Sequence, residues 1–281
     1  MNVFETIEAV RRSVRQARAA GKSIGFIPTM GALHAGHLSL LDAARGECGY
    51  VVVSLFVNPT QFGPAEDLGS YPRTPEADRA ACESHGADAI FAPPVEEMYP
   101  RPSLTQVAVP PLARGLCGRS RPEHFPGVCT VVAKLLNIVG PDRAYFGAKD
   151  RQQAVIVRRM AEDLNFPVAV VVCPTVREAD GLAMSSRNRY LTGAQRVEAA
   201  ALYGALQRAE GLIRREHPPA ETVIEAIREH LAAHAPTGVV DYVEIVDPRE
   251  LSDVQRTDRP VLIALAVGFG RARLIDNILV D

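Results

Sequence analysis

The sequence of 281 residues lacks the apolar segments that would tie it to a membrane. Its longest apolar runs, at 51–57 and 168–173, are far shorter than the roughly 20 residues of a membrane-spanning helix. The first residues, MNVFETIEAVRR, carry acidic side chains early and show no apolar core before a small-residue cleavage site. They are not typical of a signal peptide, and we expect no membrane partner.

Cysteine is scarce, and charge of neither sign is in excess. The five cysteines form no CxxC pair, their number is odd, and no His-rich segment lies nearby, which argues against a disulfide framework and a structural zinc site. Lys and Arg number 31 against 33 Asp and Glu, so the net charge of −2 gives no general basic field for nucleic acid, and only a local basic patch stays open. We expect a reduced, cytoplasmic protein without a nucleic-acid partner.

Two common catalytic signatures are also missing. The sequence has no Walker-type GxxxxGKS or GxxxxGKT segment, and no GxSxG segment of the kind that carries the serine of many hydrolases. Gly268 and Gly270 form a GxG, but they lie between strand-like runs far down the chain. We interpret them as a turn and not as a dinucleotide fingerprint.

Strand and helix patterns alternate through the first part of the chain. Apolar, β-branched runs predict strands at 23–28, 50–57, 88–92, 144–147 and 168–173. Helical spacing predicts helices at 38–45, 75–85, 128–139 and 150–165. This alternation is typical of right-handed βαβ units and predicts an α/β fold with a doubly wound parallel sheet.

The pattern changes after about residue 176. Amphipathic runs at 192–215, with Thr192 as N-cap, and at 219–233 predict two helices. Three strand-like runs then follow, separated by turn residues only, at 239–246, 261–267 and 273–280. They predict a small antiparallel sheet with helices packed on it. We therefore expect two domains, 1–175 and a smaller C-terminal α+β domain at 176–281.

Polar segments follow three of the predicted strands in the first domain. They are residues 28–31 (PTMG), 58–61 (NPTQ) and 147–150 (GAKD). In doubly wound sheets, ligands bind beyond the carboxyl ends of the strands. We therefore expect these three segments to contribute to one ligand site.

The segment 28–37 (PTMGALHAGH) joins a predicted strand to a predicted helix. A helix N-terminus presents unpaired N–H groups that favour phosphate. Gly31 and Gly36 allow the backbone to approach a ligand closely, and the imidazoles of His34 and His37 suit the stabilisation of charge on a phosphate. The alternatives are two surface histidines near a helix start, and a zinc site for which no third ligand is evident.

Two further clusters carry charge suited to a triphosphate. Lys149 lies at the start of a predicted helix, where the helix dipole disfavours a cation, so it needs either solvent or an anion. Residues 184–187 (MSSR) offer two hydroxyls and the bidentate guanidinium of Arg187. The alternatives are an exposed lysine on a solvated loop and a polar interdomain linker, although hinged lids also lie at such junctions.

Two amides complete the set of candidates. Gln61 follows a predicted strand, and Gln153 lies in the first turn of a predicted helix. Neutral amides bind the hydroxyls and carboxyl of a small polar substrate without adding charge. Lone glutamines are usually surface residues, so residue type leaves both interpretations open, as it does for Arg121 and His124.

Together these motifs resemble the pantoate–β-alanine ligase (pantothenate synthetase) family. The matching segments occur in the family's order over nearly the whole chain: PTMGALHAGH, FVNPTQF, YPRT, RPEHFPGV, KDRQQ, DGLAMSSRN and ARLIDN. The HxGH element alone would indicate only the wider nucleotidyltransferase superfamily, which includes class I aminoacyl-tRNA synthetases and cytidylyltransferases. FVNPTQF and the SSRN segment narrow the resemblance to this ligase.

The resemblance implies a Rossmann-like N-terminal domain with a smaller C-terminal lid, usually in a homodimer. The family joins (R)-pantoate to β-alanine with ATP and Mg²⁺, first forming pantoyl-adenylate and pyrophosphate, after which β-alanine attacks the acyl carbon and AMP leaves. By resemblance, His37 is the acid/base or proton-donating histidine, and His34 and Lys149 act on the phosphates. The ATP-binding residues implied are Met30, Gly31, His34, Gly36, His37, Gly147, Ala148, Lys149, Asp150, Val176, Met184, Ser185, Ser186 and Arg187. Gln61 and Gln153 would hold pantoate, with Gln61 also near the β-alanine site.

Two positions depart from the family's pattern. Ala35 stands within HxGH where the family commonly has an acidic residue, and Ala148 stands where it usually has glutamate, which removes any contact of that side chain. Metal ligands are not identified beyond Asp78 as a candidate, and Mg²⁺ is expected mainly on the ATP phosphates and water. The competing hypotheses are a nucleotidyltransferase acting on a phosphorylated acceptor, an RNA-binding relative of the synthetases, and a non-catalytic binding protein.

Overall fold

A computed structural model describes residues 1–64 and 66–281 of the chain. These residues divide into two units. The N-terminal unit comprises Met1–Pro110, Arg121–Ala148 and Gln153–Pro174; the C-terminal unit comprises Pro111–Ser120, Lys149–Gln152 and Thr175–Asp281. The predicted domains at 1–175 and 176–281, with the roles given to them, stay predictions, because compactness does not assign ligand binding.

The N-terminal unit is built on a parallel sheet. Within the described residues its strands are β1 (Asn2–Phe4), β2 (Ile24–Thr29), β3 (Tyr50–Leu55), β4 (Ala89–Phe91), β5 (Arg143–Gly147) and β6 (Ala169–Cys173). They lie in the order β1-β4-β3-β2-β5-β6, and every neighbouring pair is parallel. The prediction of an α/β fold with a doubly wound parallel sheet is therefore confirmed.

Helices connect these strands. In chain order they are α1 (Ile7–Ala19), α2 (Ala35–Glu47), α3 (Pro75–Ser84), α4 (Val95–Met98), α5 (Pro110–Ala113), α6 (Cys117–Ser120), α7 (His124–Val139) and α8 (Arg151–Asp163). The sequence patterns missed α1 and the short helices α4, α5 and α6. They also placed the start of α7 four residues too late, at 128.

The centre of the sheet is apolar on both faces, which is why β2 and β3 lie there. Phe26 and Ile27 on β2 and the three valines 51–53 on β3 are each at most 2% exposed. A strand covered on both sides loses the alternation of polar and apolar residues. The edge strand β1 has only three residues, two of them exposed, so it carries no such signal.

The C-terminal unit packs helices on a small antiparallel sheet, as predicted. Its longer elements are α9 (Gly193–Ala199), α10 (Ala201–Glu216), α11 (Ala220–His234), β7 (Val239–Val246), β8 (Val261–Phe269) and β9 (Ala272–Val280), with the strands in the order β7-β8-β9. β8 is the middle strand, and residues 261–267 are at most 5% exposed. The core of this unit lies between that sheet and α10 and α11.

The single helix predicted at 192–215 is two helices in the structure. Ala200 donates its N–H to the carbonyl of Val197, three residues back, so one tight turn interrupts the helical ladder between α9 and α10. The predicted N-cap is confirmed, because the Thr192 side chain accepts from the N–H of Gln195 in a capping box. Among the described residues, no helix has the length and apolar character needed to cross a membrane.

Candidate active site

Three neighbouring strands of the N-terminal unit end at polar segments. In the order β3-β2-β5, these strands lead into residues 58–61, 30–37 and 147–148. The chain moves from β2 to β3 on one side and returns to β5 on the other, so β2 and β5 flank the switch point of the sheet. A crevice at such a point is where doubly wound sheets bind ligands.

The two histidines of HxGH form a reciprocal cap at the start of α2. His34 is the N-cap, and its Nδ1 accepts the N–H of Gly36 at 3.1 Å. The N–H of His34 in turn donates to Nδ1 of His37 at 3.4 Å, and the ring centroids lie 4.1 Å apart. A neutral imidazole that accepts at Nδ1 carries its proton on Nε2. Both rings are thereby set to act as Nε2–H donors at a helix N-terminus.

The loop before these histidines has an unusual backbone. Gly31 and Ala32 both have positive φ, +82° and +51°, and such a conformation is unfavourable for alanine. Asp78 on α3 holds it, accepting from the N–H of Ala32 at 2.9 Å and of Leu33 at 2.8 Å. Thr74 donates its hydroxyl to the same carboxylate at 3.2 Å.

Asp78 is therefore a support for this loop and not an open carboxylate. It is 4% exposed, and both of its oxygens accept backbone hydrogen bonds. A magnesium ligand needs an oxygen turned toward the cation and its waters. Burial, followed by the Asp78 charge, also raises the pKa of the neighbouring Cys82 thiol to about 12.

Gln61 lies at the end of a short 3₁₀ turn, Pro59–Gln61, that follows β3. Its side chain is 7% exposed, and its Nε2 lies 3.1 Å from the sulfur of Met30. The Nδ2 of Asn58 donates to Oε1 of Gln61 at 3.2 Å. The structure thus brings together two of the predicted site residues, Met30 and Gln61.

Asn58 orients this turn, whereas the sequence marked it only as the first residue of the 58–61 segment expected at the ligand site. It is 1% exposed, its Nδ2 also donates to the carbonyl of Gly127 at 3.2 Å, and its Oδ1 accepts from the hydroxyls of Tyr99 and Thr60. The one signal in the sequence was an amide directly after a buried strand. A buried amide with all its groups bonded fixes its surroundings firmly.

The start of α7 packs closely on the same turn. A Cβ on Gly127 would lie 2.3 Å from the carbonyl oxygen of Thr60, so only glycine permits this approach. Nδ1 of His124 lies 3.0 Å from the carbonyl oxygen of Gln61. His124, whose role was ambiguous from sequence, therefore has a structural partner in this unit, and so does Arg121, as described next.

Arg121 forms a bidentate ion pair with Glu66. Its Nε donates to one carboxylate oxygen at 2.7 Å, and its Nη2 donates to the other. Burial acts to raise the pKa of Glu66, but the hydrogen bonds and charge of Arg121 bring that pKa below its usual range. The pair fixes Glu66 beside Arg121, three residues before the start of α7.

The two neighbouring glutamines 152 and 153 have different environments. Gln153 is half-buried in the first turn of α8 in the N-terminal unit, with no hydrogen bond from its amide to the rest of residues 1–64 and 66–281. Gln152, in the C-terminal unit, is 7% exposed; it accepts from the N–H of Cys117 and donates to the carbonyls of Leu112 and Gly115. Gln152 is thus structural, and the pantoate-binding role of Gln153 stays a prediction.

In the C-terminal unit, residues 176–184 form a hairpin, which we call the 176–184 hairpin. Arg177 pairs with Ala183 in an antiparallel bridge, and the N–H of Met184 donates to the carbonyl of Val176 at 3.0 Å. Gly181 makes the turn with φ of +92°. The structure thus joins Val176 and Met184, which were predicted to contact the same ligand.

A short turn continues from this hairpin into the serine and arginine residues. The hydroxyl of Ser185 accepts from the N–H of Arg187 at 3.3 Å and caps the 3₁₀ turn Ser186–Tyr190. Elsewhere in the same unit, Nζ of Lys149 lies 3.5 Å from a carboxylate oxygen of Asp150, and the Lys149 side chain is 20% exposed. The C-terminal unit thus contains one segment with serine hydroxyls and the Arg187 guanidinium, and a second segment with the Lys149 ammonium.

The remaining predicted residues are Gly147 and Ala148, which end β5 and begin a 3₁₀ turn. Predicted site residues therefore occur in both units: Met30 to His37, Gln61, Gly147, Ala148 and Gln153 in the N-terminal unit, and Lys149, Asp150, Val176 and Met184 to Arg187 in the C-terminal unit. Among the described residues, no cluster of three His, Cys, Asp or Glu side chains is arranged to hold a metal ion.

The family model described as pantoate-beta-alanine ligase matches residues 2–279. The chain belongs to the pantoate–β-alanine ligase family. A pantothenate synthetase of Geobacillus kaustophilus is 52% identical over 281 residues, which is 100% of this chain and 93% of the relative. The resemblance seen in the sequence motifs is thereby confirmed.

Two solved structures of family members share the fold over the whole chain. A pantothenate synthetase from Thermus thermophilus is 46% identical with a TM-score of 0.94, covering 99% of each chain. A pantoate–β-alanine ligase from Francisella tularensis, complexed with beta-gamma ATP and beta-alanine, is 33% identical with a TM-score of 0.80, covering 99% of this chain and 97% of its own.

Proposed function

We propose that this protein condenses (R)-pantoate with β-alanine in an ATP-dependent reaction, through a pantoyl-adenylate. The observation that carries the proposal is the reciprocal His34–His37 cap. It sets two Nε2–H donors at a helix N-terminus, beyond the switch point of a doubly wound sheet. Membership of the pantoate–β-alanine ligase family supports the choice of substrates.

The chemistry explains why a nucleotide is needed. A carboxylate does not react with an amine at neutral pH, because its oxygen is a poor leaving group. Attack of the pantoate carboxylate on the α-phosphorus of ATP forms a P–O bond and releases pyrophosphate. Attack of the β-alanine amine on the acyl carbon then forms the amide, and AMP leaves with the former carboxylate oxygen.

The roles of the charged and imidazole groups follow from what they can donate. During adenylation, negative charge moves toward the departing pyrophosphate, and preorganised donors stabilise it. His37 and His34 supply Nε2–H groups that donate hydrogen bonds to the phosphates, while Lys149 and Arg187 supply positive charge. The other ATP contacts are assigned to Met30, Gly31, Gly36, Gly147, Ala148, Asp150, Val176, Met184, Ser185 and Ser186.

Gln61 and Gln153 are assigned to pantoate, and Gln61 also lies near the β-alanine site. Both amides are neutral, so they hold hydroxyl and carboxyl groups without competing for the charge on the phosphates. The support for Gln61 is its fixed orientation, since Asn58 holds its Oε1 and Met30 lies against its Nε2. The support for Gln153 is its half-buried place on the first turn of α8.

We propose that Mg²⁺ enters with ATP, bound by phosphate oxygens and water. Such a cation neutralises part of the triphosphate charge when it is bound. The support is that both oxygens of the acidic candidate, Asp78, accept from the backbone of Ala32 and Leu33. We also propose a homodimer, testable by analytical ultracentrifugation, and a cytoplasmic location, in keeping with five free cysteines.

Isotope exchange tests the proposed function. We expect labelled pyrophosphate to enter ATP when pantoate is present and β-alanine is absent, because the adenylate forms first. Addition of β-alanine should then give an amide product with the mass of pantothenate. Exchange that requires β-alanine would contradict the two-step scheme, and a nucleotidyl product without an amide would favour a nucleotidyltransferase.

The variant His37→Ala tests the assigned donor. We expect a loss of about 10²- to 10³-fold in the exchange rate, the usual effect of removing one preorganised donor. His85→Ala is the matched control, because His85 sits at the end of α3 and its Nδ1 lies against the exposed carboxylate of Asp42. A folded His37→Ala enzyme that exchanges as fast as this control would remove the assigned role.

A further inference from the structure

The segment 274–277 (LIDN) on β9 has no part in the chemistry above. Its last two side chains nonetheless bond to segments that carry predicted ATP-binding residues of the same unit. Asp276 is 2% exposed, and Asn277 is half-buried. Successive residues of a strand point to opposite faces, so this pair reaches two separate parts of the unit.

Asp276 anchors the 176–184 hairpin. Its carboxylate oxygens accept from the two terminal nitrogens of Arg177, at 2.6 and 3.0 Å. The same guanidinium donates to the carbonyl of Gly181 at 3.0 Å and lies 3.7 Å from the centre of the Tyr203 ring. The hairpin that carries Val176 and Met184 is therefore fixed to β9 through a buried charge pair.

Asn277 anchors the backbone at Lys149. Its Nδ2 donates to the Lys149 carbonyl oxygen at 2.7 Å, a short contact between residues 128 apart in the chain. Asn277 also donates its own N–H to Asp276 at 2.8 Å. The position of the Lys149 carbonyl is thus tied to the strand that also holds the hairpin.

A fixed carbonyl has a consequence for the charged side chain. Lysine has a long stem, and its ammonium forms no planar, preorganised pair of bonds as arginine does. The direction in which Lys149 leaves the backbone therefore matters for where its charge is delivered. A donor on the carbonyl restricts that direction, because it limits rotation of the peptide unit that follows the Lys149 Cα.

We propose that Asn277 is a positioning residue for adenylation, which acts through Lys149. The inference rests on the proposed function, because it concerns the charge that Lys149 brings to the triphosphate. The role proposed for Asn277 is therefore indirect. Its side chain holds the Lys149 backbone, while Asp276 holds the 176–184 hairpin. One short strand segment therefore fixes the positions of two segments that carry predicted ATP-binding residues.

The test compares Asn277→Ala with Thr257→Val. The control is matched, since the Thr257 hydroxyl donates to the carbonyl of Pro218 at the same 2.7 Å, in the same unit, and within the described part of the chain it is bonded to none of the predicted site residues. We expect Asn277→Ala to raise the KM for ATP in pyrophosphate exchange by about fivefold, the factor of one lost hydrogen bond. The KM for pantoate should stay within about twofold, and Thr257→Val should change neither.

Two further measurements separate positioning from general damage. Aminolysis of chemically prepared pantoyl-adenylate by β-alanine needs no triphosphate, so Asn277→Ala should match the wild type there. In a double-mutant cycle, Lys149→Ala and Asn277→Ala together should be no slower in exchange than Lys149→Ala alone, because one acts through the other. Additive losses would overturn the proposal.

Direct evidence comes from amide hydrogen exchange, which does not depend on activity. We expect the peptide covering residues 147–156 to lose protection in Asn277→Ala but not in Thr257→Val. If the alanine variant does not fold, Asn277→Asp keeps the size of the side chain and removes the same donor. Suppose that the wild type catalyses pyrophosphate exchange. Unchanged amide protection and an unchanged KM for ATP in a folded Asn277 variant would then refute the positioning role. Absence of pantoate-dependent pyrophosphate exchange in the wild type would instead refute the proposed function.

Discussion

Gly127→Ala adds a single methyl group at a point of close backbone contact in the N-terminal unit. Gly127 lies near the start of α7, where the helix meets the turn that carries Gln61. An added Cβ would lie 2.3 Å from the Thr60 oxygen and 2.6 Å from the Gln61 Cα. Both obstacles are backbone atoms, so no side-chain rotation relieves the clash.

The expected change in the free energy of unfolding is the sum of two destabilising effects and one stabilising effect. Overpacking of this kind costs about 1–3 kcal/mol, and the upper end applies because backbone must move. The Asn58–Gly127 hydrogen bond, 3.2 Å long, is lost with it and contributes about 1 kcal/mol. Alanine in a helix recovers about 1 kcal/mol relative to glycine. We expect a net loss of about 3 kcal/mol, or a fall of roughly 6–12 °C in Tm for a unit of this size.

The assay combines thermal unfolding with steady-state kinetics. A displacement of about 1 Å at Gln61 is enough to lower kcat/KM for pantoate by about 10²-fold. The control is Gly46→Ala on α2, where an added Cβ meets nothing within 4 Å. That variant should gain about 1 kcal/mol from helix propensity and keep its activity. If Gly127→Ala and Gly46→Ala have the same Tm, the inferred close approach is wrong.

Two predictions concern other residues of the N-terminal unit. Asp78→Asn should lower kcat/KM for ATP by about tenfold or more, because its amide N–H₂ then faces a backbone N–H group of the 31–33 loop. Such an unpaired arrangement costs about 1–3 kcal/mol. Pyrophosphate-exchange kinetics measure the effect, and Glu76→Gln, at an exposed position on the same helix, should behave as wild type. Cys82 and Cys129 should resist iodoacetamide at pH 8 in the folded protein, since burial raises their thiol pKa to about 12 and about 11, so that only about one thiol in 10³ or fewer is the reactive thiolate; mass spectrometry of timed samples measures this, and labelling as fast as in urea would contradict it.

The sequence predicted the sheet well because the relevant signals are local. Five runs of apolar residues marked β2 to β6, and glycine, proline and polar residues marked where each one ends. Parallel pairing then places those ends at one edge of the sheet. The pattern could not reveal β1, whose three residues become a strand only by pairing with β4, at Asn2 to Ala89 and onward.

Residue roles that depend on distant partners were beyond the sequence. Asp78 supports a loop 45 residues away from it, and Asn277 bonds to a carbonyl 128 residues away. Helical spacing placed the start of α2 at 38, whereas His34 is the N-cap and bonds the backbone through its ring nitrogen. The motif therefore predicted phosphate chemistry at this place without predicting the tautomer that equips it.

The division of the C-terminal unit into three chain segments has a consequence for recombination between relatives. Residues 111–120 and 149–152 belong to that unit, although they are encoded among the residues of the other. Leu116 donates its N–H to Glu244, and Cys117 lies 3.4 Å from a guanidinium nitrogen of Arg273. A chimera joined at codon 175 would separate these partners by parentage. Crossovers that keep the unit intact must carry all three segments from one parent.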